Sequence, residues 1–266
     1  MTRVAVVGHV EWVEFLRVAR FPERGSVSPA QAAFAHAGGG AVVAAVVMAE
    51  LGAEVDFFCA LGRDANGEAA AAELSARGVH VQAAWRDVPT RGVVTLLEPG
   101  GERTIITLGE RLEPRAGDPL DWDRLQHVAG VYFTAGDAGA ARHARRAKIL
   151  VATPRARDGL RDGAVAIDAL IYSAGDADEQ GWAERLREQT RLMVETEGGA
   201  GGRWWGESEG RWPAVPTPGE PQDDYGCGDA FAAGFTVGLA SGRPALAAAE
   251  IGAQRGAEMR TRAGAP

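Results

Sequence analysis

The stretch DDYGCGDAFAAGF, residues 223–235, decides how this chain is read. From Asp229 to Ala240 the residues fit one helix. Phe231 and Phe235 are four apart, as are Gly234 and Gly238, so one face is bulky and another is flat enough for close packing. The helix is expected to begin near Gly228–Asp229, where the first amides lack intrahelical partners and carry the positive end of the macrodipole. Gly226 and Gly228 remove side chains where a ligand would approach, and they let successive N–H groups turn inward as an anion cradle. A carboxylate beside such a cradle repels an anion unless it takes a proton from a hydroxyl attacking that anion. Phosphoryl transfer needs this pairing of donors and base. The motif alone is also compatible with Asp229 merely capping its own helix.

Working outward, the chain alternates strands and helices. VAVVG (4–8) reads as a buried strand, AVVAAVVMAEL (41–51) as a helix stopped by Gly52, EVDFFCALG (54–62) as a strand, and EAAAAELSAR (68–77) as an Ala-rich helix ended by Gly78. The rhythm resumes after Pro114, with strands expected at 131–135, 148–152, 164–172 and 191–196 and helical stretches near 121–127, 138–146 and 177–189. This order favours a sheet covered by helices. A Gly- and Trp-bearing excursion at 198–212 reads as β-turn-β, and two last helices are expected at 229–241 and 244–260. Residues 10–36 show no helical period, and 92–107 read as a hairpin with a Pro-Gly-Gly turn. Both segments are expected to form a small accessory β sheet.

With 266 residues, 46% of them hydrophobic, the chain is long enough for a full core in a single domain. A net charge of −8 and the lack of a basic run exclude a broad nucleic-acid-binding face, so any anion must be held locally. The longest apolar run, residues 41–49, is about half a membrane span. No membrane partner and a cytoplasmic setting are therefore expected. Cys59 and Cys227 form no CxxC pair, and the five histidines show no metal spacing.

The motif resembles the DTxGAGD signature of the ribokinase-like (PfkB) carbohydrate kinases. The resemblance extends to GGGAVVAAVVMAELGAEVDFFCALGRDANG (38–67), to LSARGV (74–79), to GER and ITLG within 101–109, and to TEGGAGG (196–202). It implies a three-layer α/β/α fold with a mostly parallel central sheet, residues 1–266 forming one kinase domain with a β lid from about 10–36 and 86–108. It also implies transfer of the γ-phosphoryl group of ATP, with Mg²⁺, to a small sugar-like or nucleoside-like acceptor, and it allows a homodimer paired through the lid. By position, Asp229 is the general base and the amides of Gly226, Cys227 and Gly228 are the anion hole. Gly38 and Gly39 let the backbone approach the acceptor, and Thr196 and Gly198, with Asp223 and Asp224, fall on the nucleotide side.

Several positions depart from the family pattern. Val43 stands where an Asn usually bonds the sugar. Glu11 or Glu14 is expected to replace an N-terminal Asp. Ser173-Ala174-Gly175-Asp176 aligns with N-x-x-E, which makes Asp176 the metal candidate, and Asp224 replaces a Thr beside the phosphates. These changes leave a second reading, a ligand-binding or regulatory protein on a kinase scaffold with weak or absent turnover. A Rossmann dehydrogenase is the weaker alternative, because Gly38–Gly40 lack the GxGxxG spacing directly after a first strand. Other residues keep two readings at this level. His9 follows the first strand, where ligands gather in such folds. Arg91 and Arg103 either reach a substrate anion or face solvent, and Trp204, Trp205 and Trp212 either flank an adenine or pack an edge strand. Cys227 is either a reactive thiol or a small filler.

Overall fold

The computed structural model describes residues 1–99 and 102–264. In chain order its elements are β1 (Arg3–Val7), β2 (Glu11–Arg17), β3 (Ala32–Gly38), α1 (Gly40–Glu50), β4 (Glu54–Gly62), α2 (Ala65–Ala76), β5 (Val79–Arg86), β6 (Gly92–Leu97) and β7 (Arg103–Leu108). There follow β8 (Gly130–Phe133), α3 (Ala138–Ala144), β9 (Leu150–Ala152), α4 (Arg157–Gly163), β10 (Ile167–Ser173), α5 (Ala177–Arg185) and β11 (Thr190–Thr196). The chain ends with β12 (Gly202–Gly206), β13 (Gly210–Trp212), α6 (Cys227–Ala240) and α7 (Ala245–Met259).

Nine strands form the main sheet in the order β13-β12-β11-β10-β9-β8-β1-β4-β5. The strands from β11 to β5 run parallel, while β12 and β13 add antiparallel at the edge. The continuous apolar run of β1 is what a strand covered on both faces requires. Val4 and Val6 pack into a cluster with Phe57 and Phe235, whereas Ala5 and Val7 join Phe58, Phe133 and Leu160 on the other face. The three-layer α/β/α expectation is met. Helix α1 is buried from Ala41 to Met48 on every side, which explains its lack of a polar stripe. The flat face read from Gly234 has its reason in the α6–α7 contact, where a Cβ on that glycine would lie 2.8 Å from the Gly252 Cα.

The two segments that break the β-α rhythm come together as a second sheet, ordered β3-β2-β6-β7. The register β2–β6 is parallel, and β3 and β7 flank it antiparallel. The Pro-Gly-Gly turn expected between β6 and β7 lies, at Gly100 and Gly101, outside the described residues. Two elements escaped the sequence pattern. Helix α4 carries Gly159 and Gly163, which dilute its apolar period to a single large buried residue, Leu160. Strand β5 mixes His80, Gln82 and alanines at the sheet edge, where only part of each side chain is covered. The stretch near 121–127 forms a 3-10 helix, Trp122–His127, in place of an α-helix.

Candidate active site

The chain leaves β1 toward β4 and β5 on one side, while β8 opens the other half of the sheet. The C-terminal ends of β1 and β8 therefore bracket a topological switch point, where open α/β sheets leave a crevice for ligands. A cleft of 330 Å³ lies there. Its lining includes His9 after β1, Glu11 on β2, Tyr132 on β8, Arg155 after β9, and Gly226–Asp229 at the start of α6. A second cavity of 480 Å³ adjoins it, and Thr196, Asp224, Cys227 and Gly228 line both.

Helix α6 begins one residue earlier than the pattern suggested. Gly226 is its N-cap, in the left-handed region at φ 71°, and no side chain caps the helix. The Ala230 N–H is the first to bond back, to the Gly226 carbonyl at 2.8 Å. The preceding amides belong to residues that line the cleft. Asp229 thus sits inside the first turn, and the alternative of a simple cap is contradicted by this geometry. Among the described residues its carboxylate receives only a long hydrogen bond from the Tyr132 hydroxyl, 3.4 Å to Oδ1. Burial pushes the Asp229 carboxyl upward, and the nearby Arg155 guanidinium opposes that shift.

Two side chains hold the motif in place. Asp223 is buried, and its Oδ1 accepts the Tyr225 N–H while Oδ2 accepts the Gly264 N–H, both at 2.8 Å. This carboxylate ties the loop to the chain's last turn and is not among the cleft-lining residues, unlike its expected place on the nucleotide side. The Tyr225 hydroxyl accepts the Gly39 N–H at 2.8 Å, joining the motif to the glycine run before α1. Asp224 does line both cavities, and Arg260 Nε donates to it at 2.7 Å.

The remaining expected positions separate into three groups. Glu11 lines the cleft, 3.3 Å from Arg91 and 3.6 Å from His9, whereas Glu14 is on the exposed face of β2. Gly39 lines the cleft together with Gly40, but Gly38 is packed under Val13 and the Tyr225 hydroxyl. Val43 is fully buried in α1 and touches no cleft; it packs beneath Gly226, where a Cβ would come within 2.8 Å of its Cγ2. Thr196 lines both cavities and Gly198 lines the second. Asp176, the metal candidate, instead caps α5, accepting the Asp178 N–H at 3.0 Å and the Glu179 N–H at 3.1 Å. The acid that reaches the cleft from this region is Glu179, which accepts the Ser173 N–H at 2.9 Å and Arg155 Nε at 2.6 Å. Its place three residues into α5 could not be seen without knowing where that helix starts. Among the described residues no three His, Cys, Asp or Glu side chains converge as a metal-holding group. The site residues therefore do not form a cage for a resident magnesium ion.

Trp212 stacks on Phe231, with centroids 5.1 Å apart, and lines the second cavity beside Gly198, Ala253 and Ala257, so it is both an edge-strand packer and a cavity wall. Burial pushes the Cys227 thiol up to about 12, which fits the small filler and not a reactive thiolate. Arg91 and Arg103, which kept two readings in the sequence, reach the cleft, and Arg111 and Arg155, which the sequence did not single out, join them. Arg91, Arg103, Arg111 and Arg155 come from four separate segments and all line the first cavity.

Solved structures share this architecture. Ribokinase from Arabidopsis thaliana, complexed with ribose and ATP, superposes with a TM-score of 0.79 at 19% identity, covering 100% of this chain and 95% of that one. A microbiome-derived acarbose kinase, Mak1, gives a TM-score of 0.80 at 24% identity over 99% and 94% of the two chains. The fold is thus that of the ribokinases. The family model for pfkB family carbohydrate kinases matches residues 1–153 and 167–266, and the chain belongs to that family of phosphotransferases. A curated relative, the ATP-dependent ribose-1-phosphate kinase of Halopiger xanaduensis, is 28% identical over 257 residues, covering 88% of this chain and 84% of the relative. No helix among the described residues is long and apolar enough to cross a membrane.

Proposed function

We propose that this protein transfers the γ-phosphoryl group of ATP to a hydroxyl of a sugar-like or nucleoside-like acceptor, with Asp229 as general base. The acceptor O–H gives its proton to the Asp229 carboxylate as its oxygen bonds to the γ-phosphorus. The bond from that phosphorus to the β-phosphate bridging oxygen breaks, ADP leaves, and the base returns its proton to solvent. The amides of Gly226, Cys227 and Gly228 stabilise the charge that develops on the equatorial oxygens. Magnesium enters as part of the Mg·ATP substrate, carried on the phosphates, where it neutralises their charge.

One observation carries this reading: a partly buried carboxylate inside the first turn of α6 that does no capping and faces a cleft shared with the anion loop. The second cavity, with its apolar walls at Trp212, Phe231 and Ala257, suits the nucleotide base. ATP as donor is supported by the relative named as ATP-dependent and by the ribokinase solved with ATP. The second sheet would act as the lid that excludes water. Its strand β7 exposes Ile106 and Leu108, which supports pairing between two copies there; light scattering of the free protein tests that part. The alternative of an inactive binding protein loses one support, since the charge added by Asp224 is taken up by Arg260.

The test is ADP release from Mg·ATP against sugars, sugar phosphates, sugar acids and nucleosides, with Asp229→Asn in parallel. The expected outcome is turnover with one acceptor class and a loss of roughly 10²–10⁴-fold in kcat in the variant, its binding of both substrates retained. An unchanged kcat in Asp229→Asn would remove the base assignment.

A further inference from the structure

Resting on the kinase reading above, we infer that Tyr132 is a positioning residue for the proposed base: its hydroxyl holds Oδ1 of Asp229, so that Oδ2 is the oxygen that takes the acceptor proton.

The strand that carries Tyr132 isolates this hydroxyl. Strand β8, GVYF, is buried along its whole length, and Tyr132 is 2% exposed. Alternation along the strand sends Val131 and Phe133 into the cluster with Val7 and Leu160. Tyr132 points the other way, into the cluster with Phe231 and Ala233 of α6, and it lines the cleft. A phenylalanine would fill that volume without the cost of taking a hydroxyl out of water. Among the described residues the hydroxyl has one hydrogen-bond partner, Asp229 Oδ1 at 3.4 Å. Burial and the Asp229 charge hold the phenol far above its ordinary range, so it keeps its proton and acts toward Asp229 as a donor.

The two carboxylate oxygens are thereby unlike. Oδ1 receives the Tyr132 hydroxyl and is the Asp229 atom nearest to a Cβ built on Gly40. Oδ2 has no hydrogen-bond partner among the described residues, and Asp229 lines the cleft, so this oxygen is the one left for a ligand. A hydroxyl given to an ionised carboxylate is a charge-assisted bond that favours the charged form. A separation of 3.4 Å is long for such a bond, as catalytic hydrogen bonds often are before substrate closes on them. Arg155 after β9, Glu179 on α5 and Arg103 on β7 are the charged groups that bear on Asp229. Arg155 Nε is bound to Glu179 at 2.6 Å and acts on Asp229 as a charge, whereas Tyr132 acts through a contact that also fixes the rotamer. No bond is made or broken at Tyr132; the acceptor proton passes to Oδ2 and from there to solvent.

The experiment removes the hydroxyl and keeps the ring. Tyr132→Phe is made alone and together with Asp229→Asn, and 3-fluorotyrosine at position 132 supplies a stronger donor of nearly the same shape. Each protein is measured across pH by ADP release from Mg·ATP with ribose, ribose 1-phosphate and adenosine. Carbon-13 NMR titration of labelled aspartate carboxyls, without substrate, gives a readout free of turnover, with Asp229 assigned as the signal that Asp229→Asn lacks. Tyr132→Phe should lower kcat by about 10-fold or more and leave KM for both substrates within about 3-fold of the parent. Its Asp229 signal should titrate at higher pH, and the acid limb of kcat should move with it. The fluorotyrosine protein should keep a near-parental kcat and titrate at lower pH, which preserves the test if Tyr132→Phe folds poorly. Adding Tyr132→Phe to Asp229→Asn should change kcat little, since the two act as one unit. Turnover lost in Asp229→Asn but undiminished in Tyr132→Phe would overturn the inference and leave the kinase reading intact, as would an Asp229 titration that neither change at position 132 moves. Silence with every acceptor, in a parent whose Asp229 titration still responds to position 132, would uphold the contact and sink the kinase reading. Silence with an unmoved titration would sink both.

Discussion

Gly40 and Asp229 share one corner of the cleft so closely that a Cβ at position 40 would lie 2.7 Å from the Asp229 Cγ and 2.8 Å from its Oδ2. The third glycine of the 38–40 run is therefore what leaves room for the carboxylate. Gly40→Ala should turn the Asp229 side chain out of its position. We expect kcat to fall by on the order of 100-fold, with a stability loss of about 1–2 kcal/mol. Steady-state kinetics and thermal unfolding of the same variant separate the two effects.

With Asp229 as the proposed base, the reaction should have an acid limb. Burial raises the Asp229 carboxyl, so the carboxylate that the proposed base requires is lost as pH falls through a value above its ordinary one. Arg155 works in the opposite direction, favouring the charged form. Replacing it by Gln should move the acid limb of the kcat profile to higher pH. A limb that stays in place in Arg155→Gln would separate the two groups.

Gly226 faces two constraints at once, φ at 71° and the Val43 methyl groups beneath it. Gly226→Ala should cost about 1–3 kcal/mol from backbone conformation and crowding together. Adding Val43→Ala relieves only the crowding. A denaturant double-mutant cycle should therefore show favourable coupling between the two changes, while activity stays low because the loop remains strained.

Asp64 supports the fold away from the chemistry. Its Oδ1 accepts the Gly67 N–H and the Thr90 hydroxyl, and Oδ2 accepts the Thr90 N–H, each at 2.8 Å. Burial alone would raise this carboxyl, but those hydrogen bonds outweigh it and hold it below its ordinary value. A depressed folded value means the stabilisation is present above the unfolded pKa of about 3.9 and is lost as pH falls toward the folded one. Asp64→Ala should cost about 1–2 kcal/mol at neutral pH. The variant and the parent should converge in stability at low pH.

Much of the architecture was legible because its signals are local. The buried run of β1, the Gly-terminated helices α1 and α2, and the strand order after Pro114 follow from periodicity and turn chemistry that neighbours in the chain supply. Helix α4 and strand β5 were not legible, because glycines or an edge position replace the expected pattern. The two irregular segments announced an accessory sheet, but not that β2 and β6 pair in parallel across about eighty residues of chain. Within the site, Glu11 could be chosen over Glu14 only once the strand fixed which side each faces. Asp176 carried the alignment, yet the start of α5 gave its carboxylate to a cap and turned Glu179 toward the cleft.

The sequence by itself determined the α/β class, the position of the glycine loop before α6 and the place of Asp229 next to it, since glycines and a helix start act over a few residues. Tertiary structure decided which charges meet. Arg91, Arg103, Arg111 and Arg155 are scattered over 65 positions and carry no shared spacing; only the closure of the second sheet over the C-terminal ends of β1, β8 and β9 brings them into one cleft. Electrostatic partnership depends on distance through space and on exclusion of water, and neither is written in the order of the chain.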